Sequence, residues 1–200
     1  MTGTMNPILI AAAKFELDPL TNTLQARGHT PETRLTGVGA LNAAKRAKQI
    51  ADACRGRDVI FVGTCGAFSG FSKVSLVRAT DVLWSPTCER LGMSYTVKDS
   101  APPINLPAPP AWATKLPEKK VLCSPAISLV SRLPDGCSAD SYVENLELYS
   151  CIGDIAQTAA SLVVILAMTN TIGPDAHAEW RQHFAAAAGM TAEYIGNRIA

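Results

Sequence analysis

The sequence predicts an α/β fold with a mostly parallel core sheet, a single domain over residues 1–200. Two observations predict it. First, three short runs, 7–13, 59–62 and 162–168, are almost wholly apolar and rich in Val, Ile and Leu. They do not alternate with polar residues, which is how strands covered on both faces read. Second, stretches of helical period lie between them, and alternating strand and helix patterns define α/β architecture.

In chain order, 7–13 is the first strand. Residues 16–27 predict a helix with Leu17, Leu20 and Leu24 on one face. Residues 39–54 predict another: Ala40, Ala43, Ala44, Ala47, Ile50, Ala51 and Cys54 form a stripe, with Lys45, Arg46 and Lys48 opposite. The second apolar strand follows at 59–62. Residues 73–98 read as strands, "KVSLVRATDVLW" and "SYTVKD". Residues 101–110, "APPINLPAPP", carry five prolines, which remove donors and fix φ, so an extended loop is expected. It is either a linker-like excursion or a lid. Residues 144–159 predict a helix with Leu148, Cys151, Ile152, Ile155 and Ala159 inward, and 162–168 the third apolar strand. A last helix is expected over 176–199, with Trp180 and Phe184 as core and His177 in a capping or surface role.

Composition excludes several classes. Lys+Arg is 18 against Asp+Glu 17, net charge +1, with no basic run longer than a pair, so nucleic acid is not an expected partner. No apolar run approaches the roughly 20 residues of a membrane span. The six cysteines, Cys54, Cys65, Cys88, Cys123, Cys137 and Cys151, form no CxxC pair and no zinc spacing. With no secretion signal, free thiols in a cytoplasmic protein are expected, without metal or cofactor.

Open parallel sheets bind ligands beyond the carboxyl ends of their strands. The first apolar run is followed by Lys14, Phe15 and Glu16, the second by Gly63, Thr64, Cys65, Gly66 and Ala67, and the third by Thr169, Asn170 and Thr171. Parallel neighbours would put these on one rim: a carboxylate, a Gly-flanked hydroxyl with free backbone N–H groups, and a carboxamide. Each also has a plain structural explanation. Glu16 suits a helix N-terminus, "GTCGA" a tight turn, and Thr169-Asn170 a turn or cap. A fourth segment, "SYVENLELYS", places Glu144 and Glu147 three apart, on one face of the expected helix. An ionised carboxylate only accepts hydrogen bonds and so suits a vicinal diol such as ribose.

In order and spacing these motifs resemble the purine nucleoside phosphorylase/nucleosidase superfamily, nearest its hydrolytic branch of methylthioadenosine/S-adenosylhomocysteine nucleosidase and futalosine hydrolase. "ILIAAAKFELDPL" is similar to the first strand and catalytic-glutamate turn, with Glu16 on the glutamate. "GVGALNAA" resembles the Gly-x-Gly turn opening the second helix, and "VGTCGAF" the Gly-Ser-Cys-Gly-Ala loop, with Thr64 for serine. "VENLELYS" resembles a Glu-Asn-Met-Glu-Gly helix start, with Leu146 for methionine and Glu147 on the ribose-binding glutamate. "AMTNTIGPDAHAEW" falls where the family has Ser-Asp or Ser-Asn.

The resemblance implies a nucleoside phosphorylase-like fold, a central mixed, largely parallel sheet flanked by helices in three layers, and cleavage of the N-glycosidic bond of a purine nucleoside, a small-molecule substrate. Its roles would be Glu16 as base to water and Asn170 at the leaving purine. Glu147 would take the ribose hydroxyls, with Gly63, Thr64, Cys65, Gly66, Leu146 and Thr169 around them. Residues 123–130, "CSPAISLV", would wall the base. A homodimer is expected, with the Pro-rich loop and Trp112 either closing a neighbour's site or facing solvent.

Departures from the pattern matter. Phosphorylases carry an arginine before the Gly-Ser-Cys-Gly loop and a Gly-rich, Arg-bearing first loop. This chain has Phe61 and "AAAKFEL" there, so water is the expected nucleophile, with phosphorolysis aided by Lys14 the alternative and a silent nucleoside-binding protein the third. Asparagine at 170, where adenine-type nucleosidases have aspartate, implies a 6-oxopurine nucleoside such as futalosine or inosine. The family's Gly-Asp after the sheet turn is missing at 73–76, and Leu148 replaces its glycine.

Overall fold

A computed structural model describes residues 6–97 and 99–199. In chain order the elements are β1 (Ile8–Ala11), α1 (Lys14–Gln25), β2 (Glu32–Leu35), α2 (Ala40–Cys54), β3 (Asp58–Ala67), β4 (Ser75–Trp84), α3 (Thr87–Arg90), β5 (Ile104–Asn105), β6 (Glu118–Cys123), β7 (Tyr142–Asn145), α4 (Leu148–Thr158), β8 (Ser161–Thr171) and α5 (Ala176–Ile199).

The apolar runs are continuous because their strands are covered on both faces. In β1, Ile8 and Ile10 point to one core with Val59 and Phe61 of β3, under α2 and α4. Leu9 and Ala11 point the other way, joining Ile60 and Val62 under α1 and α5. Period-2 alternation thus feeds two cores and gives three layers. Phe61 is completely buried, and its truncation to alanine is worth about 3–5 kcal/mol.

β1 runs parallel to β2 and β3, and β3 parallel to β8 along its whole length. β8 is antiparallel to β4, β4 parallel to β6, β6 parallel to β7, and β7 antiparallel to the end of β3. Strands β3, β8, β4, β6 and β7 therefore close a ring, with β2–β1 extending one side and β5 lying on β4. β3 and β8 end together, Ala67 opposite Thr171, whereas β1 ends beside the middle of β3, just past the Ile10–Phe61 pair, so the last residues of β3 and β8 run on past the turn that follows β1.

Three expectations are corrected. Residues 142–145 form β7, not the start of the helix, which begins at Leu148. The reason is Asn145: its Oδ1 accepts the N–H groups of Glu147 and Leu148, both at 3.0 Å, and stops the helix there. Glu144 and Glu147 consequently share no helix face. "SYTVKD" forms no strand among its described residues, Lys98 lying outside them. The Thr96 N–H and hydroxyl bind the Glu89 carboxylate at 3.1 and 2.7 Å, so that backbone donor has no ladder partner. Within the Pro-rich loop, Ile104–Asn105 pairs with β4. All six cysteines are unpaired thiols, and among the described residues no helix is long and apolar enough to cross a membrane.

Candidate active site

Where the chain leaves β1, Ala12 and Ala13 turn into α1, and Glu16 lies in its first turn. Its Oε2 accepts the N–H groups of Ala12 and Ala13, each at 3.1 Å. The carboxylate thus caps its own helix, but with one oxygen. The other, Oε1, lies toward Gly63 in the middle of β3. Glu16 is 8% exposed, and burial pushes its carboxyl up to about 7. The Ala13 N–H opposes that shift, and the neighbouring Glu147 carboxylate adds to it.

Glu147 sits between β7 and α4. Its Oε1 accepts the Gly39 N–H at 2.7 Å, at the start of α2. Gly37 and Gly39 have φ of 80° and 84°, the left-handed region glycine adopts freely, and the turn they make aims that donor. Burial raises the Glu147 carboxyl above its ordinary value, with the Gly39 N–H opposing the shift.

Asn170 is the penultimate residue of β8 and stands opposite Gly66. The Asn170 Oδ1 accepts the Thr169 hydroxyl at 3.0 Å, and its Nδ2 donates to the Thr171 carbonyl at 3.2 Å. A carbonyl only accepts, so this fixes which end of the amide is which. One Nδ2 hydrogen and one Oδ1 lone pair remain for a ligand. Thr64 accepts the Trp180 indole N–H at 3.1 Å.

Glu16, Glu147 and Asn170 line one cavity of about 200 Å³, together with Thr64, Cys65, Gly66 and Leu146. Two of the expected site residues stand behind it instead. Gly63 backs Glu16, and Thr169, fully buried, supports Asn170. Ile127 and Ser128 of the 123–130 segment are part of the wall. Burial holds the Cys65 thiol far above its usual range, which leaves it an inert wall atom. Trp112 does not line this cavity; its carbonyl accepts the Tyr194 hydroxyl at 3.1 Å.

Other lining residues lay outside the sequence expectations. Trp180, expected in the core, is half-buried, and His177, expected at a cap or the surface, is exposed as expected, yet both line the cavity. The two rings stack at 5.6 Å on the cavity wall, with Phe15 edge-on to Trp180 at 5.8 Å. Asn145 ties the wall together by donating to the Thr64 carbonyl at 3.1 Å. Glu144 also faces the cavity. It is buried with Arg90, whose Nη2 lies 2.8 Å from its Oε2, and it accepts the Ser128 N–H at 3.1 Å. Among the described residues lining the cavity none is Lys or Arg, whereas Glu16, Glu144 and Glu147 are acidic.

Three-dimensional comparison defines the class to which this fold belongs. The chain superposes over nearly its whole length on nucleosidases of α/β architecture, and its fold is theirs. A Helicobacter pylori MTAN mutant with 5′-methylthioadenosine in the active site matches with a TM-score of 0.71 at 12% identity, covering 98% of each chain. A Helicobacter pylori futalosine hydrolase mutant matches at 0.71 and 12%, covering 96% of each. Streptococcus pneumoniae 5′-methylthioadenosine/S-adenosylhomocysteine nucleosidase with a transition-state inhibitor matches at 0.71 and 14%, covering 98% of each. No family model and no curated protein matches the sequence.

Proposed function

We propose that the chain is a purine nucleoside N-ribosyl hydrolase acting on a 6-oxopurine nucleoside. The observation that carries this is the convergence of Glu16, Glu147 and Asn170 on one cavity, with Glu16 titrating near neutrality. A base poised near the operating pH is what water activation needs. The fold shared with nucleosidases supports the same reaction class.

N-glycoside cleavage passes through an oxocarbenium-like sugar, as glycoside hydrolysis does. In the proposed mechanism the C1′–N9 bond breaks and its electron pair leaves with the purine. Water attacks C1′ and gives its proton to Glu16. Glu147 accepts from the 2′- and 3′-hydroxyls and places negative charge near the cationic sugar. Asn170 offers Nδ2–H to O6 and Oδ1 to a proton arriving on N7 from solvent. The acidic lining disfavours phosphate as the nucleophile, and Lys14 does not line the cavity. Phe15, Val38 and Ile127 leave an apolar mouth, 39%, 59% and 50% exposed, which supports closure by a second copy of the chain.

The test is incubation with inosine, futalosine, methylthioadenosine and S-adenosylhomocysteine, with and without phosphate. Free hypoxanthine-type base without phosphate is the expected result. Base released only with phosphate would establish phosphorolysis instead, and tight binding without turnover would establish a silent binding protein.

A further inference from the structure

Asn170 faces the cavity because of an irregularity in β8. Along β3 the register is Cys65 opposite Met168, but Gly66 is opposite Asn170, so Thr169 is an extra residue in β8. Side chains alternate between the faces of a sheet, and a one-residue slip exchanges them. In an unbroken ladder Thr169 would stand opposite Gly66, and Asn170 would point to the far face. The bulge is what turns the amide toward the ligand space, a known use of bulges.

The bulge against β3 and the end of the β4 ladder at Met168 leave backbone groups here without strand partners, and buried unpaired groups are costly. Here α5 supplies the partners. Glu179 Oε2 accepts the Thr171 N–H at 2.7 Å. His183 Nδ1 lies 3.0 Å from the Thr169 carbonyl, and since that oxygen only accepts, Nδ1 carries the hydrogen. Glu179 and His183 are four apart on one face of α5, so one helix face grips β8 immediately before and after Asn170. The Phe71 ring packs on His183 with centroids 4.7 Å apart, and the Phe71 N–H binds Thr171 Oγ1 at 2.8 Å. Trp180 on the same helix donates to Thr64 across the cavity wall.

We propose that Glu179 and His183 are positioning residues that hold the Thr169 bulge and thereby keep the Asn170 amide turned into the cavity. The geometry carries the clamp, whereas its effect on rate rests on the nucleosidase reading above.

The test uses His183→Leu and Glu179→Leu, which remove the bonds, with His183→Asn and Glu179→Gln, which keep a donor and an acceptor. Two readouts need no substrate. In the unaltered chain, the ¹⁵N shifts of the His183 ring should show the Nδ1–H form; the Nε2–H tautomer overturns the proposal. The Thr171 amide should exchange with deuterium at least about tenfold faster in Glu179→Leu than in Glu179→Gln. Equal rates overturn the proposal. With 6-oxopurine nucleoside, each leucine variant should lower kcat at least about tenfold with KM little changed, and the conservative variants should restore most of it. In an Asn170→Ala background His183→Leu should cost nothing more; full additivity overturns the link to Asn170. If the unaltered chain turns over no nucleoside, the functional reading fails, and tautomer and exchange still decide the clamp.

Discussion

Gly66 of β3 stands opposite Asn170 of β8, and a β-carbon at Gly66 would lie 3.0 Å from Asn170 Nδ2 and 2.9 Å from Ile172 Cγ1. Glycine here is a matter of space, since Asn170 and Ile172 occupy the room a side chain would take. Gly66→Ala should therefore displace the amide while leaving the fold. Overpacking of this kind costs about 1–3 kcal/mol, whereas displacing a reacting group by an ångström costs about a hundredfold in rate. Thermal melts and kinetics together check this: a small fall in Tm with a large fall in kcat is the expected outcome.

In the proposed mechanism Glu16 must be ionised to accept a proton from water. With its carboxyl pushed up to about 7, kcat should rise with pH through neutrality and level off above it. Glu16→Gln should lower kcat by about 10²–10⁴ with an unchanged circular dichroism spectrum. Because the Glu147 charge contributes to the upward shift, Glu147→Gln should move the remaining pH limb to lower pH as well as weaken ribose binding. A pH–rate profile of each variant measures both effects.

The same group links pH to stability. Glu16 is raised in the folded chain from 4.5 to about 7, so the folded state holds a proton that the unfolded state gives up. Its contribution is fully present below about 4.5 and is lost as pH rises through 7, a change on the order of 3 kcal/mol. Denaturant midpoints at pH 5 and pH 8 should therefore differ more in the native chain than in Glu16→Gln. Parallel pH dependence in the two proteins would contradict the buried, protonated Glu16.

Asn170→Asp exchanges an amide for a group that titrates. A protonated aspartate donates to N7 and its other oxygen accepts from a 6-amino group. The ratio of kcat/KM for methylthioadenosine over inosine should rise by about tenfold or more. Competition between the two nucleosides in one reaction measures the ratio directly.

The parallel core was legible because 7–13, 59–62 and 162–168 are apolar on both faces, and that alone marks buried strands. Sequence could not show β2 and β6, "ETRL" and "EKKVLC", whose charged positions hide them until β1 and β4 supply partners. It also extended the helix at Leu148 back to Glu144, because the apolar stripe gives no sign that Asn145 stops it. Of the site, Glu16, Thr64, Glu147 and Asn170 were readable as polar groups next to apolar runs. Trp180 and His177 were not: a tryptophan at helical spacing reads as core and a histidine at a helix start as a cap or surface group, until α5 is seen to bring both to the cavity wall. The bulge at Thr169 is invisible in sequence, being a property of register between two strands.

The nucleosidase reading is tested most directly by a crystal structure with a non-hydrolysable 6-oxopurine nucleoside analogue. The 2′- and 3′-hydroxyls are expected on Glu147, N7 and O6 facing Asn170, and a water between Glu16 and C1′. An analogue bound outside this cavity, or bound within it with Glu16 remote from C1′, would contradict that reading.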